Sequence, residues 1–203
     1  MGYSTALAAT LSGATVNQLR SWRNKQLLVP EISNENPFEY SFRDLVALRT
    51  IARLRAQTSF QRIRKAIESM TDFEMVNHLS TYVFATDGKD IKVRTDNGFM
   101  NLINSHKGQY EFYGLEDIYR PFLNMNGKEV PDFRRPKPHL SVDPQRLGGF
   151  PTIRDSRIPY SDIVELCADG ELEPGEISEF YPQVSDAAAK DAISFHQLVM
   201  ENV

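Results

Sequence analysis

The feature that most constrains the fold is Gly13, which separates two short helical patterns near the N-terminus. Apolar residues recur at helical spacing on both sides of it. Glycine readily adopts the left-handed conformation that ends many helices, and Thr15 is a good N-cap for the helix that follows. The spacing therefore predicts a helix over 5–12, a tight turn, and a second helix over about 16–25.

The second helix concentrates cations and amides on a few turns. A helix that enters the major groove of DNA must offer such groups to base edges and phosphates, while apolar residues such as Leu19 and Trp22 hold it against its neighbours. An ordinary solvent-exposed helix face has a similar composition, so the pattern alone leaves both interpretations open. The groups that would face DNA belong to Asn17, Gln18, Arg20, Ser21, Asn24 and Lys25.

Charge is distributed unevenly along the 203 residues, whose net charge is −4. Residues 1–70 hold 10 basic and 5 acidic side chains, a balance of +5. Residues 71–138 hold 9 and 10, a balance of −1, and residues 139–203 hold 4 and 12, a balance of −8. A basic N-terminal region and an acidic C-terminal region predict separate partners: a polyanion for the N-terminal region and a different kind of partner for the C-terminal region. The alternative is that both ends are merely solvated.

Local signals divide the rest of the first two thirds. The polar stretch "LLVPEISNENPFEY" indicates a loop or short hairpin, and Ser41 and Ser59 are N-caps for two further helices. Asp87-Gly88 lies between β-branched and aromatic residues, as in a hairpin. A further short strand and a helical turn are expected in "KGQYEFYGLEDIYRPF", and the proline-rich "VPDFRRPKPHL" is typical of a linker.

The last 65 residues predict three helices with clear boundaries. Ser161, Pro174 and Ser185 are start signals, and Gly170 and Pro182 are stop signals. The predicted fold is mainly α with a small β-hairpin region: an N-terminal winged helix-turn-helix plus a C-terminal small helical bundle. The predicted division is 1–70 for DNA binding, 71–138 as connector and linker, and 139–203 as the C-terminal domain.

The sequence through Met70 resembles the MerR-type winged helix-turn-helix. The shared features are "TVNQLRSWRNKQLL", a following proline, a polar wing, a Tyr-Ser step into the helix "FRDLVALRTIARLRAQ", and "TSFQRIRKAI" as the fourth helix. The resemblance implies that Arg20 and Trp22 lie near the DNA backbone. It also implies that Thr15, Asn17 and Gln18 lie where bases or phosphates are met. Our full predicted set of DNA-contacting residues is Thr15, Asn17, Gln18, Arg20, Ser21, Trp22, Arg23, Asn24, Lys25, Tyr40 and Arg43.

The chain departs from the MerR pattern in two places. The wing of that family usually carries an Arg-Tyr pair, where this chain has Phe38-Glu39. The long coiled coil that dimerises the family after its fourth helix is replaced by a hairpin unit. Effector-driven twisting of promoter DNA is therefore not expected here.

Residues 148–160, "GGFPTIRDSRIPY", combine two glycines, two prolines and two arginines. Gly148-Gly149 permits positive φ or a close backbone approach, and the prolines stiffen an extended path. Such a segment would display Arg154 and Arg157 to carboxylates on a partner, unless Asp155 and the helix acids hold them inside the domain. The stretch and its surroundings closely resemble a small bacterial domain of unknown function, often found in antitoxins encoded beside a PIN-like ribonuclease toxin.

The two resemblances in this order imply a VapB-type antitoxin, which binds operator DNA as a homodimer and silences a VapC-type, metal-dependent ribonuclease. The implied toxin-binding residues are Arg154, Arg157 and Tyr160. Arginines entering a Mg²⁺-binding carboxylate cluster, or acidic helices covering a basic toxin surface, would each explain inhibition. The alternative function is a MerR-like transcription regulator without a toxin partner, whose middle region senses a ligand.

Other chemistry is not indicated. No histidine lies at metal-like spacing from another ligand, and no phosphate-binding glycine loop occurs, so we expect no metal, no cofactor and no enzymatic activity. Cys167, the single cysteine, falls on an apolar helix face and is expected to be a buried small hydrophobe. A cytoplasmic protein without membrane segments is expected.

Overall fold

A computed structural model describes residues 2–103, 111–113, 115–168 and 172–202, with residues 111–113, 115 and 116 described by their backbone alone. Within these ranges the helices are α1 (Thr5–Ser12), α2 (Val16–Asn24), α3 (Phe42–Gln57), α4 (Phe60–Asp72), α5 (Leu115–Tyr119), α6 (Tyr160–Ala168), α7 (Ile177–Phe180) and α8 (Asp186–Met200). The strands are β1 (Tyr3–Ser4), β2 (Glu39–Tyr40), β3 (Phe84–Thr86), β4 (Ile91–Thr95), β5 (Gly98–Asn101), β6 (Glu111–Tyr113), β7 (Phe122–Leu123), β8 (Glu129–Val130), β9 (Leu140–Ser141) and β10 (Thr152–Ile153). The prediction of a mainly α protein with small β-hairpins is confirmed.

The first two helices begin and end where local chemistry predicts. Gly13 has φ 81° and closes α1, and its N–H donates to the carbonyl of Ala9. Thr15 and Gln18 then form a capping box at the start of α2. The Thr15 hydroxyl accepts from the Gln18 backbone N–H, and the side-chain Oε1 of Gln18 accepts from the Thr15 backbone N–H. The helix, turn and helix expected from the sequence are confirmed.

The wing and the next two helices complete the N-terminal unit. Strand β2 pairs antiparallel with β1, which joins the wing to the front of the chain. Ser41 caps α3 in a second capping box with Asp44, and Ser59 caps α4. The segment between α2 and β2 is a loop closed by a bridge between Ser33 and Glu39.

The middle of the chain forms an antiparallel sheet in the order β5-β4-β3-β6. The hairpin predicted at Asp87-Gly88 joins β3 to β4, and Gly88 has φ 83° in its turn. The expected strand and helical turn are β6 and α5. A second hairpin, formed by β7 and β8, follows α5.

The stretch predicted as a linker is packed, which corrects the prediction. Phe133 is fully buried, with its ring centroid 5.4 Å from that of Tyr119 and 5.5 Å from that of Phe42. Leu140 is also buried and pairs with Ile153 between β9 and β10. The path bends and turns before β9, and its apolar side chains insert into the core, so it is not a free spacer.

The C-terminal helices follow the predicted signals with two differences. Ser185 caps α8 as expected, whereas α6 begins at Tyr160, one residue before the expected Ser161. The predicted middle helix is only the four residues of α7, because residues from Pro174 to Glu176 form a turn instead. The expected stop at Gly170 lies outside the described residues.

One continuous cluster of buried residues extends through all three sequence segments. The Tyr3 ring lies 6.1 Å from that of Phe150, and the Thr10 hydroxyl bonds to the Leu198 carbonyl of α8 at 3.4 Å. Gly149, with φ 88°, allows this closeness, since a Cβ there would lie 2.7 Å from the Tyr3 hydroxyl oxygen. The N-terminal and C-terminal segments are therefore packed on each other.

Arg49 links the N-terminal unit to the middle of the chain. Its side chain is fully buried, and its Nε donates to the carbonyl of Ile118 at 2.5 Å. The two other guanidinium nitrogens donate to carbonyls of Leu11, Tyr119, Arg120 and Pro131. Burial lowers the pKa of Arg49 to about 9, and the nearby Arg53 acts in the same direction. The guanidinium group thus bonds to five carbonyls from three parts of the chain at once.

Candidate nucleic-acid interface

Helix α2 presents one polar face to solvent. Leu19 and Trp22 are buried and attach the helix to the core, whereas Asn17, Arg20 and Asn24 lie on the opposite, exposed side. With about 100° between successive residues, these three side chains fall within roughly 60° of one another. The exposed face is therefore a short surface of two amides and one cation, on a helix whose start is fixed by a capping box.

Two of the predicted DNA contacts have structural roles at the start of α2. Thr15 and Gln18 form the capping box, in which the Thr15 hydroxyl and the side-chain Oε1 of Gln18 each accept a backbone hydrogen bond. The amide nitrogen of Gln18 lies 3.0 Å from the sulfur of Met125. Neither side chain is as freely available to DNA as Asn17 or Arg20.

Trp22 and Tyr40 were predicted to contact DNA, and the structure corrects both. Trp22 is 3% exposed and its ring stacks at 6.4 Å on Phe60, which joins α2 to α4. Tyr40 is 1% exposed and lies in β2 opposite Tyr3, where burial raises the pKa of its hydroxyl. Aromatic side chains with so little exposed surface contribute apolar burial and do not reach a ligand outside the core.

The wing lies on one flank of α2. Arg23 places its guanidinium carbon 3.5 Å from the ring centroid of Phe38, a cation–π contact that attaches the wing to the helix. At the base of the wing, Arg43 is exposed and paired with Glu31, whose carboxylate also accepts from the Ser41 hydroxyl. Arg43 is thus accessible to solvent, but its guanidinium already forms an ion pair with the Glu31 carboxylate.

The 122–130 hairpin, which comprises β7, the loop 124–128 and β8, lies on the other flank. Asn124 donates from its side-chain amide to the Gly13 carbonyl at 3.1 Å, and Val130 packs on Gly13. The loop reaches Gln18 through Met125. A shallow groove runs along this flank of α2 toward α3 and α4, and its lining includes Lys25, Arg55 and Phe60, with Met125 as the one residue from the hairpin. No signal in the sequence pairs Met125 with a residue 107 positions away.

Glu31, Asp44 and His78 bring possible ligand atoms within 4.8 Å of one another, the one such group found among the described residues. Asp44 is fully buried, and its Oδ2 accepts from the backbone N–H groups of Glu31 and Ser41. Its Oδ1 lies 3.2 Å from His78 Nε2, and Ser80 is bonded to the other ring nitrogen of His78. Hydrogen bonds from the base of the wing and from the N-cap of α3 thus satisfy the buried Asp44 carboxylate. The spacing of these residues in the sequence does not predict the cluster.

The predicted toxin-binding arginines lie at a tight turn between β10 and α6, where Asp155 has φ 61° and the Ser156 N–H donates to the Ile153 carbonyl, so the expected extended path is wrong here. Arg154 and Arg157 are both exposed, and Arg154 is paired with Asp155 at 3.4 Å. Arg154 lines one open groove, Arg157 lines a second, and Arg146 with Asp155 borders both. Arg134 and Arg135, from the stretch predicted as a linker, line the first groove as well. The structure therefore gathers five arginines on one side of a segment whose sequence is acidic.

Tyr160 was predicted to contact the toxin, and the structure corrects this. The side chain is 4% exposed, with its ring 5.0 Å from Phe195 and 5.9 Å from Phe150. Burial raises the pKa of Tyr160 to about 12. Cys167, predicted to be buried, is only partly so, and desolvation followed by the charge of Glu173 raises the pKa of its thiol.

Comparisons with known families assign both ends of the chain. Residues 3–70 match the MerR helix-turn-helix family of regulatory proteins, and residues 140–196 match DUF433, a family of proteins of unknown function. The chain thus carries a MerR-family helix-turn-helix domain at its N-terminus and a DUF433 domain at its C-terminus. A domain of the first kind is a DNA-binding, regulatory module.

The whole arrangement also resembles a solved structure. A crystal structure of Rv2018 from Mycobacterium tuberculosis is 15% identical and aligns over 94% of this chain and 96% of that one, with a TM-score of 0.52. At this identity the likeness concerns the fold alone. No curated protein matches the sequence. Among the described residues, no helix has the length and apolarity needed to cross a membrane.

Proposed function

We propose that this protein is an antitoxin of the VapB type, which binds its own operator DNA as a homodimer and neutralises a PIN-domain ribonuclease toxin. The proposed DNA binding rests on one observation, the exposed face of α2. Arg20 lies there between Asn17 and Asn24 along the helix, and no described contact pairs it with a carboxylate. Our proposed role is binding rather than catalysis, in the cytoplasm and without a cofactor.

The proposed homodimer is supported by the small size of the recognition helix α2. Helix α2 has nine residues, so one copy contacts few base pairs. Two copies on a two-fold operator double the contacts, and the spacing between half-sites then adds specificity. The net charge of +5 over residues 1–70 favours approach to DNA.

The DNA half is tested by the salt dependence of binding. Fluorescence anisotropy on a duplex from immediately upstream of the coding sequence should show an affinity that falls steeply with KCl. Arg20→Ala should weaken binding about tenfold and lower the magnitude of the salt slope by about one per protomer, as for one lost phosphate contact. Arg94→Ala, at an exposed arginine of β4, is the control and should change neither. Wild-type binding that ignores salt would contradict phosphate contact.

The toxin half rests on the arginines before α6. A PIN-type ribonuclease holds Mg²⁺ with clustered carboxylates, and arginine pairs with carboxylates through two parallel hydrogen bonds. Arg154 and Arg157 are exposed on a loop stiffened by Pro151 and Pro159, so they lose little freedom on binding. Covering of a basic toxin surface by the acidic helices is the competing mode, since Glu176 and Glu179 of the same segment are exposed as well.

Co-expression with the product of the neighbouring open reading frame separates these possibilities. A stable complex and rescue of growth are expected for the wild type. Arg154→Glu with Arg157→Glu should abolish both, while Glu176→Gln with Glu179→Gln should retain them. The reverse result would establish covering by the acidic helices. Absence of any complex or rescue would favour a MerR-like regulator with no toxin partner.

A further inference from the structure

The two flanks of the recognition helix differ in what they offer to DNA. From Gln26 to Phe42 the chain has no lysine or arginine, and the wing region carries Glu31, Glu35 and Glu39. Phosphates repel such a wing. If α2 sits in a groove, the cations that hold the adjacent backbone must come from elsewhere in the molecule.

The 122–130 hairpin is placed to supply one such cation, Lys128, which the acidic Glu129 follows directly in the chain. Arg23, on the wing flank, and Gln18, on the hairpin flank, are five positions apart, which separates them by about 140° across the buried side of the helix and by about 220° across its exposed side. The exposed residues Asn17, Arg20 and Asn24 lie between these two flanks. The wing and the 122–130 hairpin therefore border the same polar face of α2 from opposite sides.

The loop of the hairpin is ordered by its own hydrogen bonds. Asn124 Oδ1 accepts from the backbone N–H groups of Asn126 and Lys128, and the Gly127 N–H donates to the Asn124 carbonyl at 2.9 Å. Because the Asn124 side chain also bonds to Gly13, the loop is fixed to the turn that positions α2. Asn126 and Lys128 are exposed beyond this anchor, and Lys128 is 3.4 Å from Glu201.

We propose that the 122–130 hairpin is a second wing, which contacts the DNA backbone beside α2 through Asn126 and Lys128. The groove along this flank of α2, which Lys25 and Arg55 line and which Met125 of the hairpin borders, receives the phosphate backbone of one DNA strand. Lys128 exchanges Glu201 for a phosphate on binding, at little cost because the ion pair is exposed to solvent. This role rests on the proposed binding of operator DNA.

The test uses the full-length protein and the upstream duplex described above. Lys128→Gln should lower the magnitude of the salt slope by about one per protomer, and Asn126→Lys should raise it by about one. Lys190→Gln is the matched control, because Lys190 is also exposed and paired with an acid, Asp186, which is the first residue of α8. It should leave the slope unchanged. Both test positions are exposed, and circular dichroism checks that each variant is folded.

The outcomes separate this inference from the proposed function. Wild-type binding with an unchanged slope in both hairpin variants would overturn the second wing and leave operator binding intact. A wild type that fails to bind the duplex at low salt would overturn operator binding, and the second wing with it. Hydroxyl-radical footprints provide a further readout: Lys128→Gln should lose protection at one edge of each half-site, whereas Arg20→Ala should lose it at the centre.

Discussion

The N-terminal and C-terminal segments carry opposite charge but share one core. Residues 1–70 have a balance of +5 and residues 139–203 a balance of −8, yet Tyr3 packs on Phe150 and Thr10 bonds to Leu198. Segregation of charge along a sequence therefore does not imply separate folding units. The basic and acidic surfaces are two sides of one packed body, in which the arginines of residues 134–157 form a further basic region.

The largest expected effect comes from cutting the chain between the two segments. A fragment that ends at residue 138 leaves Tyr3 and the α1 face that contacts α8 exposed to water, so we expect it to lose its cooperative native state. In the intact protein, thermal transitions followed by the fluorescence of Trp22, the single tryptophan, and by far-UV circular dichroism should coincide. Two separate transitions, or a natively folded fragment, would show that the segments fold independently.

The N-terminal elements were predictable because their signals are local. Gly13, Thr15, Ser41 and Ser59 each act within one turn of the residue they satisfy, so the limits of α1 to α4 follow from the sequence. The exposed face of α2 follows from helical periodicity in the same way, as does the burial of Leu19.

The contacts that join the segments were not predictable in this way. Phe133 lies among prolines and charges, with no periodic neighbour to indicate that it is buried. Arg49 resembles an ordinary helix arginine, and its carbonyl partners lie up to 82 positions away. The placement of Met125 beside Gln18, and the grouping of Arg146 with Arg154, likewise arise from tertiary packing, for which a single sequence holds no pattern.

Arg49 is where the N-terminal unit and the middle of the chain are most strongly coupled. Arg49→Met retains much of the side-chain volume but leaves buried carbonyls of Leu11, Ile118 and Pro131 without a donor. We expect a loss of about 3–5 kcal/mol in the free energy of unfolding, measured with urea. Arg49→Lys keeps a cation without the planar fork and should fall between the wild type and the methionine variant. Equal stability of all three would mean that these bonds contribute no net stability.

Removing one helix N-cap in the N-terminal segment and one in the C-terminal segment should have smaller effects on the free energy of unfolding. Thr15→Ala removes a capping box with reciprocal hydrogen bonds, whereas Ser185→Ala removes one bond, to Ala188 N at 3.2 Å. Each should lower the free energy of unfolding by about 1 kcal/mol, with the larger loss at Thr15. Because one core unites the segments, both variants should lower the same single transition. A loss seen by Trp22 fluorescence for Thr15→Ala but not for Ser185→Ala would contradict that coupling.

The smallest expected effect concerns pH and the acidic wing. The hydrogen bond from Arg43 is the main cause that lowers the pKa of Glu31 from its ordinary value of 4.5, with the Ser41 hydroxyl contributing and burial opposing. A carboxyl whose pKa is lower in the folded state stabilises the fold above its unfolded pKa, and this contribution disappears as the pH falls through the folded value. Urea unfolding should therefore show Glu31→Gln to be less stable than the wild type at pH 7, and the difference should shrink as the pH falls below 4.5. Glu35→Gln removes a charge from the same wing without affecting Arg43 and should show no such convergence. The difference should be small and should shrink further in salt, because both partners of the Glu31–Arg43 pair are partly exposed.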